Sequence, residues 1–366
     1  MKIECTVEKI RDAVLTASRF IEKRGNLPAL SGILFVAEGK TLLLRATNLE
    51  CGIEIVLPAR VEESGVTVVP GDVLSGFLSN TPTTQSISLN LSGDLLILKT
   101  SHAKASLKTL AAADFPTLPS VSAENNFSMR GDALARAIRA VAFCASLANI
   151  KPELQSILLF GEASKVYTVA TDSFRLAEKT TPTKGISSIP HLLIPLKNAA
   201  ELARILDGVS EDVTVYYNEN QLSVRFGGVY YTTRLIDGTF PNYKTIIPTT
   251  HVAQAVVLRE DFSQTFKILS LFADKFSQVM VAVAPKEKTL SLSARNTDVG
   301  ENTTTLKATA EGDSLSMTFN GRYLADGLQG IGGESVKLSF AGPGKPLTLS
   351  GASDPSFLYI VMPMNR

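Results

Sequence analysis

Leu42-Leu43-Leu44-Arg45-Ala46-Thr47-Asn48 is a short apolar run that stops at a polar pair, and the chain writes it three times. It returns as Val166-Tyr167-Thr168-Val169-Ala170-Thr171-Asp172 and again as Leu290-Ser291-Leu292-Ser293-Ala294-Arg295-Asn296. The likeness is short, but its place is constant: each run follows a β-rich stretch that itself follows an amphipathic helix. Apolar spacing predicts those helices over Val7 to Arg24, Gly131 to Ala148 and Glu260 to Lys275. Leu134, Ile138, Val141 and Ala145 share one face of the second, and Phe262, Phe266, Leu269 and Ala273 share one face of the third. Ile10, Val14, Ala17 and Ile21 do the same, more loosely, in the first.

Each copy then offers a second helix of about three turns, beginning near Pro70-Gly71-Asp72, Pro195-Leu196-Lys197 and Asn320-Gly321-Arg322. Paired strands close each copy, as in Val213 to Tyr217, a turn at Asn218-Glu219-Asn220, and Gln221 to Phe226, where alternation marks half-buried antiparallel strands. A fixed internal repeat governs the whole fold assignment. Linkers rich in Pro, Ser, Asn and Thr fall at Pro116 to Asn126 and Pro248 to Ala255. Three α+β domains result, over 1–120, 127–248 and 255–366.

The 366 residues suffice for three cores of ordinary size. No apolar run reaches the ~20 residues of a membrane span, and Met1 to Val7 enters strand-like sequence without a secretory h-region. A cytoplasmic protein with no membrane partner is the expectation. Cys5, Cys51 and Cys144 are odd in number and lie among apolar neighbours, which points to buried thiols and not to a disulfide framework or metal site. Lys and Arg number 36 against 35 Asp and Glu. So even a balance lacks the basic excess of proteins that read DNA grooves, and any DNA role rests on where the charges sit.

Catalytic patterns are absent. His102, His191 and His251 carry no HExxH or nucleophile-elbow context. Gly342-Pro343-Gly344-Lys345-Pro346 lacks the glycine spacing and following hydroxyl of a phosphate loop, and reads as a hairpin turn. Asp172 and Asp237, followed by Ser and Gly, are turn-forming carboxylates.

Three segments are specific: Thr168 to Ala177 (Thr-Val-Ala-Thr-Asp-Ser-Phe-Arg-Leu-Ala), Leu235 to Tyr243 (Leu-Ile-Asp-Gly-Thr-Phe-Pro-Asn-Tyr) and Tyr359-Ile360-Val361-Met362-Pro363-Met364. Leu27-Pro28-Ala29-Leu30 and Ala112-Ala113-Asp114-Phe115-Pro116 support them. In order and spacing the chain resembles the bacterial DNA polymerase III β sliding clamp family over essentially its whole length. The resemblance implies three repeated clamp domains per subunit, with two subunits closing a six-domain ring, helices inside and sheets outside. It implies a non-catalytic processivity factor without cofactor or metal. Its partners would be non-sequence-specific double-stranded DNA, a second copy as homodimer, the replicative polymerase catalytic subunit, the clamp loader and other proteins with clamp-binding motifs.

By the same resemblance, Arg24, Lys197, Arg204, Arg136 and Arg139 face DNA. Over the predicted helix spans, basic residues exceed acidic ones by three, and a solvated helix face explains each of these residues as well as a phosphate contact does. Leu107, Leu271 and Phe272 match the dimer seam. A peptide-binding pocket is implied at Leu154, Thr171, Phe174, Arg175, Leu176, Pro241, Ile246, Ile360, Val361, Met362, Pro363 and Met364, with Asn320 and Tyr323 flanking it and Pro346 nearby. Met and branched aliphatics make an adaptable cleft, and Arg175 is expected to offer a charge or a hydrogen bond near its edge. Read alone, Met362-Pro363-Met364 serves equally as a strand covering the core. Phe174 stands where relatives commonly carry histidine, Pro346 where they carry a small polar residue, and Asn365 displaces the usual basic residue to Arg366, which together imply a more apolar pocket. Two readings stand: a topological DNA clamp, or a repeat-built structural protein unrelated to DNA.

Overall fold

The computed structural model describes residues 1–22, 27–148, 151–186 and 188–364. Six α-helices are present among them: α1 (Val7–Ala17), α2 (Gly71–Ser79), α3 (Gly131–Ala142), α4 (Leu196–Ile205), α5 (Arg259–Leu269) and α6 (Gly321–Gly327). Every one follows a strand without a loop, the preceding strands ending at Thr6, Pro70, Arg130, Pro195, Leu258 and Asn320. The repeated unit is therefore strand-into-helix, twice per copy.

α1, α3 and α5 stop six or seven residues before the ends predicted from apolar spacing. The chain tightens there: Phe20 N–H bonds to the Ala17 carbonyl, Cys144 N–H to that of Val141, and Ser270–Phe272 forms a 3-10 turn. An i-to-i+3 tail keeps apolar side chains facing inward, as a helix would. Phe20, Ile21 and Ala145 are buried although they lie outside the helices. Apolar spacing cannot tell the two apart. The six helices hold nine basic and eight acidic residues, a net of +1 that equals the charge of the whole chain. That net is smaller than the excess of three counted over the predicted spans, in part because Arg130 ends a strand and Arg19 lies beyond α1.

Among the described residues the strands form four antiparallel sheets, and two of them run from one copy into the next. The eight-stranded sheet joins Val229–Arg234 of the middle copy to Cys51–Pro58 of the first, with Tyr231 opposite Ile53. The nine-stranded sheet joins Arg175–Pro182 of the middle copy to Phe357–Val361 of the last, with Leu176 opposite Ile360. The chain accordingly divides into two compact units, Met1–Asp132 with Arg204–Leu235, and Ala133–Ala203 with Ile236–Arg366. That division cuts the middle copy because each half of it shares a sheet with a neighbour. Two smaller sheets remain. One has five strands and ends at Lys104–Lys108; the other has four and ends at Gly300–Lys307.

The motifs that close the first two copies are plugs. Phe115 is buried with Ala29, Leu34 and Val68, and Phe240 and Tyr243 are buried with Leu158, Val169, Leu176 and Ile360. Tyr243 Oη donates to Glu178 Oε2 at 2.5 Å, fixing the second plug to the sheet. As expected, Gly342 to Pro346 turns a hairpin between Ser335–Phe340 and Leu347–Gly351, and all three cysteines are buried and free. No described helix is long and apolar enough to cross a membrane.

Packing leaves α6 no room behind it. A Cβ at Gly327 would overlap the ring of Tyr359, which is fully buried on Phe357–Val361. Gly327→Ala is expected to cost about 1–3 kcal/mol as overpacking, read as a lower urea midpoint. An unchanged midpoint would show that Tyr359 can yield.

Candidate functional site

The strand Lys165–Thr171 and the strand Arg175–Pro182 are joined by a turn built from its own side chains. Thr171 Oγ1 donates to the Arg175 carbonyl at 2.7 Å and accepts from Ser173 N–H at 3.2 Å, while Asp172 Oδ1 accepts from the N–H groups of Phe174 and Arg175, each at 3.0 Å. Ser173 takes a positive φ of 78°. Asp172 is thus the turn-forming carboxylate read from the sequence. The first copy repeats the device with Thr47 bonded to the Cys51 carbonyl, Asn48 accepting from Glu50 and Cys51, and Leu49 at φ 72°. One backbone shape presents Leu49-Glu50-Cys51 in one copy and Ser173-Phe174-Arg175 in the next.

In the second copy the turn forms one wall of a pocket of about 670 Å³. Phe143 and Ala145 to Ala148, following α3, also line it, with Lys151, Leu154 and Tyr323 of α6. Phe174 is 62% exposed and Leu147 86% exposed beside an exposed Lys151, so the mouth is apolar with one cation at it. Met362 N–H donates to the Phe174 carbonyl at 2.9 Å, which ties the segment after Phe357–Val361 to the same turn.

Arg175 is the hub. Its Nε donates to Asp172 Oδ2 at 3.0 Å, Nη1 to Asp326 Oδ2 at 2.7 Å and Nη2 to the Phe143 carbonyl at 2.8 Å. The guanidinium also lies 4.3 Å from the centre of the Tyr323 ring. Burial acts against its charge, but the bonds from Asp326 and Asp172 outweigh that and hold its pKa above the ordinary arginine value. Arg175 lines the pocket with its charge already met by two carboxylates, and it fixes the turn, α6 and the α3 tail to one another. Cys144 is buried, and burial pushes its thiol well above the usual range.

Of the other residues expected at the pocket, Leu154, Phe174 and Tyr323 line it. Thr171 is buried within the turn, and Leu176 and Ile360 are cross-strand partners inside the core beneath Phe240 and Tyr243. Val361 is buried opposite Arg175 in register. Met362 is 39% exposed; Pro363 and Met364 are half-buried, and Met364 N–H bonds to the Thr318 carbonyl. Pro241 and Ile246 are exposed on either side of the buried Tyr243. Asn320 caps α6, accepting from Arg322 and Tyr323 N–H. Pro346 ends the hairpin turn and does not line the pocket. Asp326, Phe143 and Leu147 escaped the sequence reading; Leu147 had been absorbed into a helix that ends at Ala142.

Lys197, Arg204, Arg136 and Arg139 are exposed on α4 and α3, and Arg139 Nη2 donates to the Ala203 carbonyl at 2.9 Å. Arg24 lies outside the described residues, as do Asn365 and Arg366. Leu107 is half-buried on Lys104–Lys108, Leu271 is 68% exposed and Phe272 half-buried.

The sequence matches the DNA polymerase III beta subunit family in three segments: its N-terminal domain over residues 1–119, its central domain over 128–242 and its C-terminal domain over 244–365. The chain belongs to that family. The beta sliding clamp of Caulobacter vibrioides is 28% identical over 352 residues, 94% of each chain, and that of Salmonella typhimurium is 29% identical over 346 residues, 93% of each. The DNA polymerase III subunit beta of Pseudomonas aeruginosa, solved with griselimycin bound, matches with a TM-score of 0.95 at 26% identity over all of both chains. The Caulobacter crescentus clamp, solved with polyethylene glycol at a proposed β-motif tethering region, gives 0.93 at 27% identity over 100% of this chain and 99% of that one. DNA polymerase III beta subunits are sliding clamps, non-catalytic processivity factors, and that is the function class of this chain.

Removing the hub should show its structural weight. Arg175→Ala leaves Asp172 and Asp326, 15% and 37% exposed, without their cation and orphans the Phe143 carbonyl. Fully buried pairs lose about 3–5 kcal/mol when broken; this partial exposure places the expected loss nearer 2 kcal/mol, read by urea denaturation. Arg175→Lys should recover only part of it, since an ammonium cannot span three acceptors in a plane. Equal stability of all three proteins would refute the hub.

Proposed function

We propose that two copies of this chain close head to tail into a ring around duplex DNA, and that the Phe174 pocket holds a short segment of the replicative polymerase, the clamp loader and other partners. The repeat bounds read from the sequence, 1–120, 127–248 and 255–366, are taken as the three clamp domains of each subunit. The observation that carries the ring is the pair of unfinished sheets. At both joints inside the chain, the strand that follows the Asx turn of one copy pairs with the last strand of another: Cys51–Pro58 with Val229–Arg234, and Arg175–Pro182 with Phe357–Val361. The third strand of the first kind is Gly300–Lys307 and the third of the second kind is Lys104–Lys108. Each is the edge of a small sheet, of four and five strands, which together would make the nine of a complete joint.

Within one chain a head-to-tail joint of this kind leaves one edge of each type open, and a second copy satisfies both. One edge carries Lys104 and Lys108 and the other carries Glu301 and Lys307, so charge complements only at Glu301. Leu107, Leu271 and Phe272 supply apolar surface beside the two edges.

DNA is held by topology more than by attraction. A helix charge of only +1 per subunit gives weak, salt-sensitive phosphate binding, whereas a closed ring leaves circular DNA only by opening. Loaded onto nicked circular plasmid with a compatible loader, the protein should survive a salt wash that strips it from short linear duplex, and linearising the plasmid should release it. Gel-filtration retention reads both. Retention that ignores cutting would rule out encirclement.

At the pocket, the neutralised Arg175 leaves recognition to Phe174, Leu147, Leu154 and Tyr323, with Lys151 as the exposed charge, which suits a flexible segment with apolar anchors. Phe174→Asp should weaken a polymerase-derived peptide at least tenfold, about 1.4 kcal/mol or more, with the melting temperature unchanged because Phe174 is exposed. Calorimetric titration measures it; an unaltered affinity would move the peptide site elsewhere.

A further inference from the structure

In the first copy, the hairpin turn at Gly39 and Lys40, the strand Arg60–Glu63 and the start of α1 surround an open pocket of about 750 Å³. Lys9, Lys40 and Arg60 converge on it against a single lining carboxylate, Glu4, in a chain whose total charge is only +1. Among the described residues neither lysine has an ion-pair partner. Arg60 is 74% exposed and reaches Glu4 and Glu62 only at 4.0 and 3.9 Å. Like charges that outnumber the counter-charges beside them repel one another, and a bound anion would relieve that repulsion. Thr6 and Ser86 also line the pocket, and the Thr6 side chain makes no capping bond to α1. Cys5 contributes no negative charge, because burial, with Glu4 adding, pushes its thiol up to about 12.

We propose that this pocket binds a phosphate group. A carboxylate would leave the excess of two cations half balanced, whereas a phosphate supplies up to two charges and several acceptor oxygens for two ammonium groups, one guanidinium fork and two hydroxyls. The pocket is wide and open, so the phosphate can be free in solution or carried on a nucleic-acid backbone. None of Lys9, Lys40 and Arg60 belongs to the peptide pocket or to the strand edges of the ring joint, and the site does not depend on ring closure.

The test compares the full chain with its Lys9→Gln/Lys40→Gln and Lys9→Arg/Lys40→Arg variants in two arms. One arm titrates short linear duplex over a range of salt; the other titrates inorganic phosphate alone, followed by phosphorus NMR linewidth. For a backbone phosphate, the Gln pair lowers the log–log salt slope for duplex by about 1–2 and abolishes saturable phosphate broadening. For a free phosphate, it abolishes the broadening and leaves the duplex slope unchanged. Either result supports the site, provided that the Arg pair behaves as the parent protein and all three melt alike. No difference between the Gln pair and the parent in both arms overturns the proposal. So does an Arg pair that fails as the Gln pair does while melting normally, because charge would then not be what is recognised.

Discussion

Backbone pairing across copies, above all between Arg175–Pro182 and Phe357–Val361, is the interaction from which the rest of this molecule follows. A strand edge is a row of unmet donors and acceptors, and here the copies meet one another's edges instead of capping their own. The Phe-Pro plugs, the shared cores and the division into two units that cuts across the middle copy are consequences. Because Leu176 and Ile360 are matched in register, the apolar faces of two copies merge into one core, and a slip by one residue would turn both outward.

The same joint explains why a pocket stands beside it. Arg175 heads the strand that receives Phe357–Val361, and its guanidinium gathers a carboxylate from its own turn, a carboxylate from α6 and a carbonyl from the α3 tail. Three pieces held at fixed distances leave a hollow among them with apolar walls. The equivalent turn of the first copy has Cys51 at that position, a buried thiol with no fork of donors. Two turns of one shape therefore differ in what they can assemble, and a single residue type accounts for much of the difference.

The repeat, the strand-into-helix order and the hairpin at Asn218 were legible because periodicity and turn chemistry are local properties. The turn role of Asp172 was legible for the same reason. The lengths of α1, α3 and α5 were not, since a 3-10 tail preserves the inward facing of Ile21 and Ala145 that a helix would give. Leu154, Phe174 and Tyr323 were placed by resemblance, and the fold does bring them together. The inward commitment of Arg175 was hidden because its second carboxylate, Asp326, comes from another copy. No local pattern announces a partner that distant. Leu176 and Ile360 illustrate a related limit: from sequence an apolar residue near a pocket and one beneath it look alike.

The nine-stranded sheet also sets an order of events. Arg175–Pro182 gains its neighbour Lys165–Thr171 as soon as both are made, but its other side is completed by Phe357–Val361, which follows almost all of the last copy. Contacts so distant along the chain close slowly, because a large loop entropy precedes any gain. During synthesis the middle copy therefore carries an open edge beside Leu176 and Phe174 for as long as the last copy takes to emerge, a period in which a nascent chain is exposed to pairing with the wrong strand. The strand that completes the sheet beside the Phe174 pocket is thus also the one that ends this vulnerability.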